Sequence, residues 1–205
     1  MGWNKFLMEE TEYDKNLNIR TTGRDDTMAN RFNYPYEPTP YRVLERLANS
    51  GYITKKNTLI DYGSGKGRVD FFLSYHTRCR SVGIEYDRRI FETAISNKAG
   101  AVSGRRCEFI NQSAESQPVP PEADRFYFFN PFSVEVLEAV LVRIWESFET
   151  SPRELLLFFY YPSDEYISFL EKRDELVILD EINCRDIFLE EDKREKILVY
   201  VIKTE

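Results

Sequence analysis

Three glycines at alternate positions, Gly63, Gly65 and Gly67, separate two apolar stretches of this chain. Before them runs Thr-Leu-Ile-Asp-Tyr over 58–62, a short apolar segment that carries one carboxylate, Asp61. After them Val69, Phe71, Phe72 and Leu73 resume at helical spacing. The pattern predicts a buried strand, a tight loop and a helix packed back on the sheet. Glycine is needed where the backbone takes positive φ or where a ligand must approach the main chain. In open α/β sheets such a loop sits at the carboxyl end of its strand, where ligands bind. A nucleotide-like cofactor is therefore expected here.

Spacing decides which cofactor. The dinucleotide fingerprint, Gly-x-Gly-x-x-Gly, fails because Arg68 stands at its last position. A phosphate-binding P-loop fails because Gly65-Lys66 is followed by Gly67 instead of Ser or Thr. The pattern that fits is acidic-x-Gly-x-Gly-x-Gly with its carboxylate at the strand end. It resembles motif I of the class I S-adenosyl-L-methionine (SAM) dependent methyltransferases. The resemblance implies that Asp61 meets the cationic amino-acid head of SAM directly or through water, with Gly63, Ser64, Gly65 and Gly67 passing close to it.

Three later segments extend the resemblance. Arg80 to Asp87 reads as a second strand, and Glu85 falls roughly twenty residues beyond the glycine loop, the distance at which an acidic residue accepts ribose hydroxyls. In the family the acid at the end of the second strand does so, and Glu85 matches it. Asp87 alternatively opens the next helix, where the dipole favours a carboxylate. Around 108–115 the family commonly has an acid before a small residue, facing adenine. This chain has Ser113-Ala114 there, which leaves Ser113 or neighbouring backbone for that contact. Finally, an aromatic strand ends in Asn130-Pro131-Phe132. This is similar to the Asn-Pro-Pro-aromatic signature of methyltransferases acting on planar amino groups, with one proline instead of two. The signature implies that Asn130 and a neighbouring carbonyl accept from the target nitrogen while Phe132 stacks on the substrate. The simpler alternative is an Asn-Pro turn with Ser133 capping the next helix.

Composition narrows the class. The 205 residues are 42% hydrophobic and 31% charged, which fits one globular domain. A formal charge of -7 argues against a strongly basic nucleic-acid binder, although Arg88-Arg89 and Arg105-Arg106 form local basic pairs. Cys79, Cys107 and Cys184 give neither metal spacing nor a disulfide framework, so a cytoplasmic setting is expected. A single histidine, His76, excludes a site built from several histidines. The amino terminus is too polar for a signal peptide, and the longest apolar run, over 155–161, is far short of the ~20 residues of a membrane span.

The periodicity alternates strands (58–62, 80–86, 107–111, 125–129, 154–161) with helices (67–76, 88–100, 133–149, 164–173), then ends in strands near 175–182 and 195–202. Thr39 and Gly51 bracket a further helix. The expected fold is α/β, a doubly wound Rossmann-like sheet of seven strands. It is mostly parallel and closes in a C-terminal antiparallel hairpin, as the resemblance also implies. Residues 37–205 form the expected methyltransferase domain. Residues 1–36 read as an arm or lid with one short helix, and Tyr36, Thr39 and Tyr41 are lid candidates. The resemblance implies transfer of the SAM methyl to a nucleophile, with a planar amino nitrogen among the candidates. The acceptor stays open among small molecule, protein and RNA, as does the oligomeric state. Two alternatives remain: a SAM-binding partner or scaffold without turnover, and a nucleotide or dinucleotide enzyme on a related sheet.

Overall fold

The computed structural model describes residues 3–27, 31–32 and 34–203. Helix α1 (Trp3–Leu17) leads into an irregular strap, described over 18–27, 31–32 and 34–40, then α2 (Tyr41–Asn49). Strands β1 (Thr58–Tyr62), β2 (Arg80–Glu85), β3 (Cys107–Asn111), β4 (Arg125–Phe128) and β5 (Leu156–Tyr160) follow. They are interleaved with α3 (Arg68–His76), α4 (Arg88–Gly100) and α5 (Val134–Thr150), and α6 (Asp164–Leu170) precedes β6 (Leu176–Asn183) and β7 (Lys196–Ile202). These elements match the sequence expectation closely. The one large difference is at the amino terminus, where the single short helix expected is a 15-residue one.

The sheet order is β3-β2-β1-β4-β5-β7-β6. The first five strands are parallel, and β7 runs antiparallel to both β5 and β6. The expected antiparallel pair is present, with β7 inserted beside β5 and β6 left at the edge. Reversal of the crossover direction between β1 and β4 opens a crevice at the strands' carboxyl ends.

Alternation along each strand sends side chains to two cores. On one face Leu59, Tyr127, Phe158 and Val199 pack with Leu17 of α1, Leu44 of α2 and Phe72 of α3. On the other, Tyr62 stacks on Phe128 (5.1 Å) and Phe128 on Phe159 (4.7 Å), beneath Leu137 and Ile144 of α5. Each such buried aromatic removes a large apolar area from water, which fixes the register of the strands carrying the site. Among the described residues no helix is long and apolar enough to cross a membrane.

Two expected caps differ. Thr39 does not cap α2; its buried hydroxyl lies 3.0 Å from Tyr127 Oη. Ser133 precedes α5 without accepting a cap bond from the helix.

Candidate active site

The glycine loop is fixed by main-chain bonds. The N–H groups of Gly63 and Ser64 both donate to Ile84 O, at 2.9 and 3.0 Å, which ties β1's end to β2's. All three glycines have positive φ, between 58° and 86°. Their neighbours differ. A Cβ on Gly63 would fall 2.4 Å from Pro131 Cβ, and one on Gly65 would fall 2.2 Å from the Tyr36 ring. Gly67 faces the protein interior, where a Cβ would meet Phe109 at 2.6 Å and Phe71 at 2.8 Å. Its absent side chain lets α3 sit close to the sheet.

A cavity of ≈ 90 Å³ lies over this loop, bounded by Asp61, Gly63, Ser64, Glu85, Pro131 and Phe132 among others. Most residues singled out in the sequence therefore converge on one crevice. Gly65 and Gly67 are covered instead by Tyr36 and Phe109. Ser113 stands apart, its hydroxyl donating to Ser116 Oγ at 2.9 Å. Its neighbours Gln112 and Ala114 line the cavity instead.

Two polar groups at the cavity are buried without partners. Asp61, 2% exposed, has no donor at Oδ2, and Ser64, 5% exposed, has none at Oγ. Burial and the neighbouring Asp70 carboxyl push the Asp61 carboxyl well up from its usual range. Unsatisfied buried polar atoms cost stability, so both are fitted to receive a ligand. Glu85 accepts from the Gly65 N–H at 2.8 Å and the Asp87 N–H at 2.7 Å, and burial nonetheless raises its carboxyl. Asp87 also caps α4 through the Arg89 N–H.

Asn130 takes a strained φ of +40°. Its amide is engaged at both ends: Nδ2 donates to Tyr161 O, and Oδ1 accepts from the Ser163 N–H at 3.2 Å. Asn130 therefore joins the ends of β4 and β5, while Pro131 and Phe132 supply the cavity wall. The Phe132 ring is 3% exposed and meets Phe128 edge-on.

Among the described parts of the strap, Asp25 and 34–39 cover the crevice. Ser133 N–H donates to Phe32 O, and Tyr34 N–H to Pro131 O. Tyr36 exchanges two main-chain bonds with Asp25 and donates through Oη to Thr21 O at 2.6 Å. Arg68, read in the sequence only as a misfit to the dinucleotide pattern, anchors this arrangement. It is 2% exposed and ion-pairs with Glu10 of α1. Its guanidinium also donates to Thr21 Oγ1 (2.7 Å) and Thr39 O (3.2 Å) and lies 4.2 Å above the Tyr41 ring. Of the lid candidates, Tyr36 covers the loop, Thr39 is buried and lines the same cavity, and Tyr41 is a core residue. A charged residue at the head of an apolar helical run was the available signal for Arg68, and the same holds for Asp70.

No family model and no curated protein matches the sequence. Solved structures do. An RNA methyltransferase from Salinibacter ruber, in complex with S-adenosyl-L-homocysteine, aligns with a TM-score of 0.58 at 20% identity, covering 82% of this chain and 95% of that one. The mitomycin 7-O-methyltransferase MmcR aligns with 0.58 at 16% identity, covering 80% and 53%. A TehB-like SAM-dependent methyltransferase from Corynebacterium glutamicum aligns with 0.56 at 15% identity, covering 78% and 88%. The chain has the fold of the class I SAM-dependent methyltransferases.

Proposed function

We propose that this protein is a SAM-dependent methyltransferase whose cofactor lies across the carboxyl ends of β1, β2 and β4. The observation that carries the reading is the pair of buried, unpartnered polar groups, Asp61 Oδ2 and Ser64 Oγ, facing one cavity on this sheet. They suit a ligand with an ammonium group and hydrogen-bonding head. Glu85, on the adjacent strand, is set to accept the ribose diol. When bound, SAM would supply an electrophilic methyl group, and the protein's part is orientation and electrostatics. Pro131 and Phe132 would form the wall along which the acceptor approaches.

Residues 1–36 act in this reading as arm and lid to a domain over 37–205. A cavity of ≈ 90 Å³ is well below the roughly 300 Å³ at which ligand pockets begin. Tyr36 and its strap must therefore move for the cofactor to enter. The planar-amino form of the reading has Asn130 Oδ1, which already accepts from the Ser163 N–H, accept a second bond from the substrate on its other lone pair. That engagement favours, as a second reading, a module that binds SAM without turnover.

Titration calorimetry with SAM and S-adenosylhomocysteine, with NAD as control, tests the assignment on wild type, Asp61→Ala and Glu85→Ala. Micromolar binding of both sulfur ligands, lost in the variants, is expected. A folded wild type that binds neither would overturn it, and NAD binding would favour dinucleotide chemistry. Turnover against small-molecule, protein and RNA acceptors then separates an enzyme from a binding module.

A further inference from the structure

Asp61 and Asp70 meet on one face of the sheet. Asp61 stands opposite Gly83 of β2, and Leu59, on the same face, stands opposite Ser81. Asp70, from the first turn of α3, reaches this face, where Ser81 Oγ donates to its Oδ1. Asp70 is completely buried and Asp61 nearly so. Each carboxyl has a buried Oδ2 with no hydrogen-bond partner, and the Asp70 charge acts directly on Asp61. Two carboxylates buried on one face without a counter-ion repel each other, and one proton held on the pair relieves both that repulsion and the cost of burial.

The surroundings do not neutralise this pair. Glu85 faces it from β2, the Tyr36 hydroxyl from the strap and the Tyr127 hydroxyl from β4. The thiols of Cys79 and Cys107 lie on the Asp70 side. Arg68 lines the same cavity, but its guanidinium is committed to Glu10. Burial and mutual repulsion both oppose a doubly ionised pair.

We propose that Asp61 and Asp70 hold one proton between them in the ligand-free protein and release it when a cationic ligand head binds at Asp61. The carboxyl O–H bond breaks, its electron pair stays on the oxygen, and the proton passes to solvent. The pair goes from one negative charge to two as the ammonium arrives. Asp70 is thus a positioning residue that sets the charge of the cofactor site. The release step rests on the SAM-binding reading above; the shared proton does not.

The first measurement uses ligand-free protein. An infrared carboxylic-acid band at neutral pH, lost in Asp70→Asn, is expected, and no such band in wild type overturns the shared proton whatever the protein binds. The second is calorimetry with S-adenosylhomocysteine, whose head carries the ammonium, in buffers of different ionisation enthalpy. Wild type should release up to one proton per ligand, with affinity rising by up to tenfold per pH unit between about pH 6 and 8. Asp70→Asn, whose amide can donate to an ionised Asp61, should bind with no release. The ligand's own amino group would take up a proton on binding, the opposite sign, in both proteins. Binding without release in wild type, or release that persists in Asp70→Asn, overturns the proposal. If Asp70→Asn does not fold, Ser81→Ala removes the donor to Asp70 and should shift the affinity profile to higher pH; an unmoved profile counts against it. A wild type that keeps the band yet binds no ligand sinks the release step together with the cofactor reading.

Discussion

Arg68 and Glu10 form an ion pair in which both side chains are almost wholly buried, 2% and 7% exposed. The pair joins the start of α3, directly after the glycine loop, to the middle of α1. Removing one member of a buried pair strands the other charge. Glu10→Gln should therefore destabilise the protein by about 3 kcal/mol, the lower end for such pairs, because Asp14, 3.7 Å from the guanidinium, keeps a counter-charge nearby. Urea unfolding should show a lower midpoint with an unchanged slope. An unshifted midpoint would mean that α1 is not held through Arg68.

The contact between Tyr36 and Gly65 gives a second expectation. At Gly65 an alanine would adopt positive φ, costing about 1 kcal/mol, and its Cβ would overlap the Tyr36 ring. Gly65→Ala should push the ring off the loop, and Tyr36→Ala should free the strap without straining the loop. Both should speed hydrogen exchange at the Tyr36 and Asp25 amides, which are bonded to each other's residues. Protection equal to wild type in both variants would show that the ring does not hold the strap.

The candidate crevice was legible because its signals are local. Asp61, Gly63 and Ser64 lie within four residues, and backbone conformation alone requires the glycines. Glu85 follows from the regular length of a strand–helix–strand unit. An arm or lid was legible, with Tyr36 in it, but its anchoring was not, because the partners of Arg68 are distant in sequence, with Glu10 58 residues away. No periodicity encodes such a bond. Gly67 shows a subtler limit: the motif marks it as a ligand contact, yet the space it leaves is occupied by Phe109 and Phe71. Asn130 is similar, since a turn residue and a catalytic acceptor read alike until the ends of its amide are located.

Arg89 and Asp25 tether the outer part of the strap to α4. Two bonds, at 2.7 and 3.1 Å, join the guanidinium to the carboxylate. The hydrogen bonds from Arg89 hold the Asp25 carboxyl far below its usual range. The arginine is half exposed, so salt should screen the tether. If the strap gates entry, S-adenosylhomocysteine should associate faster with rising ionic strength in stopped-flow measurements. Arg89→Ala should be fast at every salt concentration. Equal salt dependence in the two proteins would exclude the tether as part of the gate.

The buried acid pair should also leave its mark on stability in the absence of ligand. Burial raises both the Asp61 and the Asp70 carboxyls above their unfolded range near pH 4. Between that range and the raised folded values, the native state holds more protons than the unfolded chain. Stability must then fall as pH rises through this window, the reverse of a carboxylate stabilised by an ion pair. Asp14 is such an opposite case: burial pushes its carboxyl up, but bonds from Thr21 and Tyr41 and the charge of Arg68 bring it below the usual range. Its contribution is complete above the unfolded value and is lost only as pH falls through the lowered folded value. The two effects therefore separate along the pH axis. From about pH 5 upward, wild type should lose stability in thermal unfolding, and Asp70→Asn, with no proton to give up, should show a flatter profile and a higher melting temperature at pH 8. Parallel profiles for the two proteins would mean that the pair is already ionised in the folded state.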